Sequence, residues 1–278
     1  MRKKFVAAAD TRPKSIVSSD PWDGLRQFTD ARIALGRSGV SLPLAEALSF
    51  RLDHARARDA VHTPFLAEEL CRQLEEDGLA CLESHSAVAG RDEYLTRPDK
   101  GRCLDERSRA MLAAFPEKGF DICLVVSDGL SSRAVHENAV PFVRLFSRTL
   151  ALTGLSLSPT AVVRNGRVAI GDEIGELLRA RLSVILIGER PGLSSPDSMG
   201  CYLTWNPRAG ITDEARNCIS NIRAAGLPVP EGVRKLAYLV EEAFRMQGSG
   251  VELKDRMAEG YLPFGQELPF LPHGPARR

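Results

Sequence analysis

The polar residues best placed for chemistry stand in two short loops, each directly after an apolar run. Residues 127–131 have the sequence SDGLS and residues 188–192 the sequence GERPG. In sheets of mostly parallel strands, ligands bind beyond the carboxyl ends of the strands. We therefore predict that the two loops face a ligand, although an ordinary surface turn explains Asp128 and Ser131 equally well.

The sequence lacks the motifs of the common catalytic sites. It contains no G-x-x-x-x-G-K-[ST], no G-x-G-x-x-G after the first apolar run, no H-E-x-x-H and no G-x-S-x-G. The five histidines are far apart, and we interpret them as surface or core residues, not as metal ligands. The six cysteines form no C-x-x-C pair, which predicts buried, reduced thiols without a disulfide framework. These absences favour a binding role over a catalytic one.

Strands and helices alternate around the two loops. Apolar runs typical of buried strands occupy residues 122–126, 160–163 and 184–187, and residues 201–205 alternate as in an edge strand. Helical periodicity occupies residues 139–150, 172–178 and 230–244. Asn165-Gly166 predicts a tight hairpin turn into a strand at residues 168–170. The pattern predicts an α/β fold with a doubly wound, mostly parallel sheet.

The rest of the chain predicts three further segments around an α/β domain at residues 117–252. Residues 1–25 have no period and are interpreted as a flexible arm. Residues 26–116 show helical spacing with no strand-like run, which predicts a small helical domain. Residues 253–278 are rich in proline and form a predicted extended tail, whose apolar side chains could instead dock on a subunit surface.

Composition excludes several classes of partner. The chain has 37 basic and 36 acidic residues, a net charge of +1, and only 6% aromatic residues, which argues against nucleic acid. No apolar run approaches the roughly 18 residues that a membrane span needs. The apolar stretch at residues 5–9 is too short for a signal peptide. We therefore expect an intracellular protein without a nucleic-acid or membrane partner.

Four segments in register resemble one known family. They are residues 28–37 (FTDARIALGR), 126–131 (VSDGLS), 187–202 (IGERPGLSSPDSMGCY) and 217–222 (NCISNI). Together they resemble the small subunit of ethanolamine ammonia-lyase, from about residue 21 to 252. The resemblance implies that adenosylcobalamin lies between this subunit and a large TIM-barrel subunit that binds ethanolamine. It also implies radical release of acetaldehyde and ammonia, a dodecamer of six heterodimers, and a bacterial microcompartment or the cytoplasm as location.

The resemblance also implies three cobalamin contacts on this chain, namely Val168, Glu189 and Cys218. A carboxylate such as Glu189 can accept hydrogen bonds from the amides at the corrin rim. Val168 offers an apolar surface or a backbone group, and Cys218 can act through its backbone because a thiol bonds weakly. Simpler interpretations stay open: an ion pair of Glu189 with Arg190 or a neighbour, an ordinary core valine, and a buried thiol.

The cobalt is expected to receive no histidine from this chain. The B12 motif D-x-H-x-x-G is absent, because Asp53 and His54 are adjacent, and the cofactor should keep its own dimethylbenzimidazole as lower ligand. Three other functions stay open: a stand-alone α/β small-molecule-binding or regulatory protein, an independent NAD-type enzyme, and a structural assembly protein. A glycine fingerprint would be needed for the second, and independence from a partner would favour the first.

Overall fold

The computed structural model describes residues 15–151 and 153–266. The chain divides between Ala55 and Arg56 into two compact units. In the first unit, residues 23–28 form a 3-10 helix, and helix α1 (Leu44–His62) begins there. Arg32 forms an ion pair with Asp53 in that unit. The predicted flexible arm lies in part outside the described residues, and the predicted domain boundaries stay predictions.

The second unit contains one six-stranded sheet. Its strands are β1 (Cys81–His85), β2 (Ile122–Ser127), β3 (Thr160–Arg164), β4 (Leu182–Gly188), β5 (Met199–Trp205) and β6 (Arg216–Ile222). Their spatial order is β1-β3-β2-β4-β5-β6. The first four strands in this order run parallel, whereas β5 is antiparallel to both of its neighbours. The predicted mostly parallel sheet is confirmed.

Helices cover both sides of the sheet, as in a doubly wound fold. On one side lie α2 (Ala67–Glu76), α5 (Ser132–Leu150) and α7 (Val229–Met246), and on the other α4 (Glu106–Ala113) and α6 (Ile170–Leu177). Strands β2 and β4 are buried on both faces, since their alternate residues belong to two separate core clusters. This burial explains their continuous apolar sequences. A short helix, α3 (Arg91–Thr96), lies before α4 in the chain.

Three sequence predictions about strands were wrong. Residues 26–116 do contain a strand, β1, which pairs with β3; its sequence CLESH has the polar character of an edge strand. Residues 168–170 form no strand: the chain turns after β3, and α6 begins at Ile170. Strand β5 is not at the edge, because β6, which the sequence patterns missed, pairs outside it.

The cysteines also differ from the prediction. Cys71 and Cys81 form a disulfide that joins α2 to β1. Cys123 and Cys201 are free and buried, as predicted, whereas Cys103 and Cys218 are free and exposed. The predicted buried and reduced state is therefore correct for two of the six.

The described part of the predicted tail, residues 253–266, packs on α7 of the same chain. Tyr261 meets Tyr238 edge to face at 5.4 Å, and Lys235 pairs with Asp255 at 2.7 Å. Residues 267–278 of that prediction lie outside the described residues. Within the described part of the chain, no helix is long and apolar enough to cross a membrane.

Candidate functional site

The two loops that the sequence singled out lie side by side. Strands β2 and β4 are parallel neighbours, so the loops that follow them begin at the same edge of the sheet. The backbone N–H of Leu130 donates to the carbonyl of Gly188 at 2.9 Å. The carboxyl ends of β1, β3 and β6 lie at the same edge. In a doubly wound sheet, ligands bind beyond this edge.

Glu189 follows β4 and is fixed by residues from two other segments. Ser220 donates to one carboxylate oxygen at 2.6 Å, while Ser198 and the backbone N–H of Asn221 donate to the other. Gly200 on β5 makes room for it, because a Cβ there would lie 3.0 Å from Oε1. Glu189 is therefore held by neighbours, and its hydrogen bonds go to them and not to Arg190.

Val168 lies in the loop between β3 and α6 and is half-buried at the margin of a core cluster. Ser127 accepts from Gly166 N–H at 3.0 Å and Asp128 accepts from Asn165 N–H at 2.7 Å, which fixes this loop against the end of β2. Val168 and Glu189 both line a cavity of about 450 Å³ at the strand ends, which we call the strand-end cavity. The structure thus brings these two predicted contacts together.

Cys218 is exposed on β6 and does not line the strand-end cavity. It lines a groove of about 620 Å³ along the outer edge of β6. Its cross-strand partner is Tyr202 on β5, which does line the strand-end cavity. Partial burial raises the pKa of the Cys218 thiol, a hydrogen bond with Tyr202 opposes the rise, and the Glu189 carboxylate adds to it. Tyr202 is the residue that connects Cys218 with the other two positions.

This side of β5 and β6 is open, unlike the same side of the central strands. Helix α6 packs on β2 and β4, whereas on β5 and β6 Tyr202 is half-buried and Cys218 and Ser220 are exposed. We call the surface formed by Glu189, Tyr202, Cys218 and Ser220 the open face. It offers a carboxylate, an aromatic ring, a hydroxyl and a thiol to a flat ligand.

Asp128 and Ser131 are structural and not part of a surface turn. Asp128 is 3% exposed and pairs with Arg91 at 3.1 Å. Burial raises the pKa of the Asp128 carboxyl to about 6, and Arg91 opposes the rise. Ser131 caps α5 by accepting from Ala134 N–H at 3.2 Å. The two residues hold the edge of the sheet together and do not face the strand-end cavity.

Sequence patterns missed Tyr202, Arg167 and Tyr94, which also line the strand-end cavity. Tyr94 is buried on α3 and donates to the carbonyl of Gly166 at 3.2 Å. Burial raises the pKa of the Tyr94 phenol to about 12, so it is a neutral donor at physiological pH. The only signal available in the sequence was the position of Arg167 next to Val168.

Comparison with known proteins identifies the family of the chain. The family model described as ethanolamine ammonia-lyase light chain (EutC) matches residues 19–254. The ethanolamine ammonia-lyase small subunit of Ralstonia nicotianae is 54% identical over 253 residues, which cover 90% of this chain and 94% of the relative. Those of Pseudomonas paraeruginosa (54% identical; 86% and 88% covered) and Pseudomonas putida strain W619 (51%; 85% and 88%) are similar too. The chain belongs to the ethanolamine ammonia-lyase small-subunit family, whose name implies a large-subunit partner.

Proposed function

We propose that this chain holds one side of adenosylcobalamin against the large subunit, in a complex that converts ethanolamine to acetaldehyde and ammonia. The observation that carries the proposal is the open face beside the strand-end cavity, where Glu189 is fixed next to Tyr202 and near Val168. An ionised carboxylate has about four acceptor positions. The three donors on Glu189 leave capacity for a donor from a ligand.

The chemistry of these residues fits the rim of a corrin, which bears primary amides and methyl groups. Glu189 can accept from an amide, and a charge-assisted hydrogen bond is stronger than a neutral one. The half-buried Val168 and the ring of Tyr202 offer apolar surface to methyl groups. Arg167 is partly buried and lines the same cavity, so its guanidinium can donate to an acceptor group of the cofactor.

The size of the site supports a shared pocket. Sites that bury a drug-sized ligand measure roughly 300–1,000 Å³, and the strand-end cavity, at about 450 Å³, lies in the lower half of that range. Cobalamin is larger than such ligands, so this chain can cover only part of it. The remainder of the cofactor needs a second protein surface, for which the large subunit is the natural source.

When bound, adenosylcobalamin supplies the radical chemistry through homolysis of its cobalt–carbon bond. The residues of this chain bind the corrin, orient it and exclude water from one side. The proposal extends to the assembly that the family resemblance implies. In it the large subunit is a TIM barrel that binds the substrate, six heterodimers form a dodecamer, and the enzyme acts in a bacterial microcompartment or in the cytoplasm.

The test is co-expression with the large subunit. Retention of adenosylcobalamin on gel filtration, followed by absorbance, would be compared for the complex and for each subunit alone. Release of ammonia and acetaldehyde from ethanolamine would be assayed with and without the cofactor. We expect tight retention and activity only for the complex. Equal retention by this chain alone would favour a stand-alone binding protein, and retention by the large subunit alone would refute the proposal.

A further inference from the structure

Arg167 is held in one position beside Val168. Its guanidinium carbon lies 4.1 Å from the centre of the Tyr94 ring, and Nη2 donates to the Tyr94 carbonyl at 2.9 Å. Its backbone N–H donates to the carbonyl of Gly101 at 2.7 Å. Gly101 is needed there, because a Cβ would come within 2.8 Å of Arg167 Cγ. A side chain fixed in this way has lost most of its freedom before any ligand arrives.

The charge of Arg167 is nevertheless not neutralised. Among the residues that the structure describes, no carboxylate forms an ion pair with Arg167, and its buried Nε has no hydrogen-bond partner. Three acids line the groove beside Arg167. Glu173 pairs with Arg109 at 2.7 Å, Asp213 pairs with Arg216 at 2.7 Å, and Glu214 accepts a hydrogen bond from Thr212. A fixed, partly buried guanidinium without a carboxylate is the arrangement that a bound anion would complete.

Arg167 also stands between two depressions of the surface. With Val168 it lines the strand-end cavity and a second groove of about 760 Å³, which we call the arginine groove. The arginine groove is lined by Arg102 as well, an exposed residue for which the described part of the chain provides no ion pair. A ligand that fills the strand-end cavity can therefore extend past Val168 and place a further group beside two unpaired guanidinium groups.

We propose that Arg167 binds the phosphodiester in the nucleotide loop of the cobalamin, and this inference rests on the proposed function. The amides and methyl groups of the corrin rim are neutral, whereas the phosphodiester carries a full negative charge. A guanidinium matches the geometry of phosphate oxygens and is weakly hydrated, which suits a partly buried site. The corrin then lies over the open face and its nucleotide loop passes Val168 toward the arginine groove.

Three corrinoids distinguish the contribution of the phosphate to binding from that of the rest of the cofactor. Adenosylcobalamin has the phosphate and the benzimidazole, adenosylcobinamide phosphate has only the phosphate, and adenosylcobinamide has neither. Their dissociation constants for the complex with the large subunit would be measured by equilibrium dialysis, for the wild type and for Arg167→Gln. The matched control is Arg148→Gln, an exposed arginine on α5, on the opposite side of the sheet.

We expect Arg167→Gln to weaken binding of the two phosphate-bearing corrinoids about ten- to a hundredfold, the usual effect of losing a charged hydrogen bond. Binding of adenosylcobinamide should not change, and Arg148→Gln should change none of the three. For the phosphate-bearing corrinoids, the affinity of Arg167→Lys should lie between those of the wild type and Arg167→Gln, since lysine keeps the charge but lacks the planar guanidinium.

Two results would refute this inference and leave the proposed function intact. Equal weakening of all three corrinoids would mean that Arg167 only supports the loop that carries Val168. Unchanged affinities for all three would place the phosphate elsewhere. A wild-type complex that binds none of the three would instead refute the proposed function, on which the inference rests.

Discussion

At the scale of single residues, the useful property of Glu189 is that it is fixed and still incompletely bonded. Ser198, Ser220 and the Asn221 N–H orient its carboxylate before a ligand binds. The side chain therefore loses little conformational entropy when it accepts a hydrogen bond from a ligand amide. The same three bonds stabilise the charge of Glu189, for which the described residues provide no arginine or lysine partner.

Glu189→Gln should weaken adenosylcobalamin binding to the complex about tenfold, because a charge-assisted acceptor becomes a neutral one of the same shape. The dissociation constant would be measured by absorbance titration. The control is Glu137→Gln, on the exposed surface of α5, where the glutamate pairs with Arg133. If Glu189→Gln and the control bind equally well, Glu189 does not contact the cofactor.

The sequence indicated part of this site and missed the rest for identifiable reasons. Glu189 could be found because it follows a strand buried on both faces, which is recognisable as a continuous apolar run. Tyr202 could not, since its relevance depends on pairing with Cys218 across two strands. Arg167 could not either: its importance comes from the ring of Tyr94, which is 73 residues away in the chain.

At the scale of elements, the edge of the sheet is held by unusually close backbone contacts. A Cβ on Gly188 would lie 2.2 Å from the Ser131 carbonyl oxygen and 2.4 Å from that of Asp128. Only a residue without a side chain allows β4 to end against the loop after β2. Gly188 and Gly129 thus serve packing between the two loops, and Gly188 itself is buried.

Gly188→Ala should destabilise the chain by about 3 kcal/mol or more, because both obstructing atoms belong to the backbone and cannot rotate away. The control is Gly248→Ala, where a Cβ would meet nothing within 4 Å. Urea unfolding of the two variants and the wild type would measure the effect. If Gly188→Ala loses no more unfolding free energy than Gly248→Ala, close backbone packing at the edge of the sheet does not require a glycine at position 188.

Asp128 should make the stability of the fold depend on pH. Burial raises its pKa from the usual 3.8 to about 6 in the folded chain, so the folded state binds the proton more tightly than the unfolded state. The stabilisation is therefore present below about pH 4 and is lost as the pH rises through about 6. A pKa of about 6 in place of 3.8 corresponds to about 3 kcal/mol for this buried group.

The comparison variant is Asp128→Asn, which cannot titrate and keeps the shape of the side chain. Between pH 4 and pH 6 the wild type should lose about 2 kcal/mol of unfolding free energy relative to Asp128→Asn, and between pH 3 and pH 7 about 3 kcal/mol. Urea unfolding at several pH values gives the difference directly. A difference that stays constant, or that grows in favour of the wild type with rising pH, would show that the Arg91 pair outweighs burial.

The strands show where sequence patterns suffice. Those predicted correctly, β2, β3 and β4, are central and buried, so nearly every residue must be apolar. The missed strands, β1 and β6, form the two edges and have the sequences CLESH and RNCISNI, which alternate only weakly. Asn165-Gly166 predicted a hairpin turn, but the chain continues from β3 into helix α6. The left-handed backbone of Asn165, with a φ of 56°, serves that strand-to-helix turn instead.

At the scale of the whole molecule, the distribution of histidines bears on how the cobalt is held. His136 is engaged in the fold, since it accepts from Leu66 N–H at 3.1 Å and stacks on Phe65. Burial lowers its pKa, which keeps the ring neutral for that role. Among the described residues, no histidine lines the strand-end cavity, and His273 lies outside them. It stays a prediction that this chain provides no histidine ligand to cobalt and that the cofactor keeps its own benzimidazole.

Isotopic labelling tests this expectation without relying on activity. This subunit would be labelled with ¹⁵N, combined with unlabelled large subunit and unlabelled cofactor, and converted to the cob(II)alamin form for electron paramagnetic resonance. Coupling to the benzimidazole ¹⁴N gives triplets, so the triplets should persist. A second sample, with only the large subunit labelled, should give triplets too. Doublets in the first sample would mean that a nitrogen of this chain ligates cobalt, and doublets in the second would assign the ligand to the large subunit.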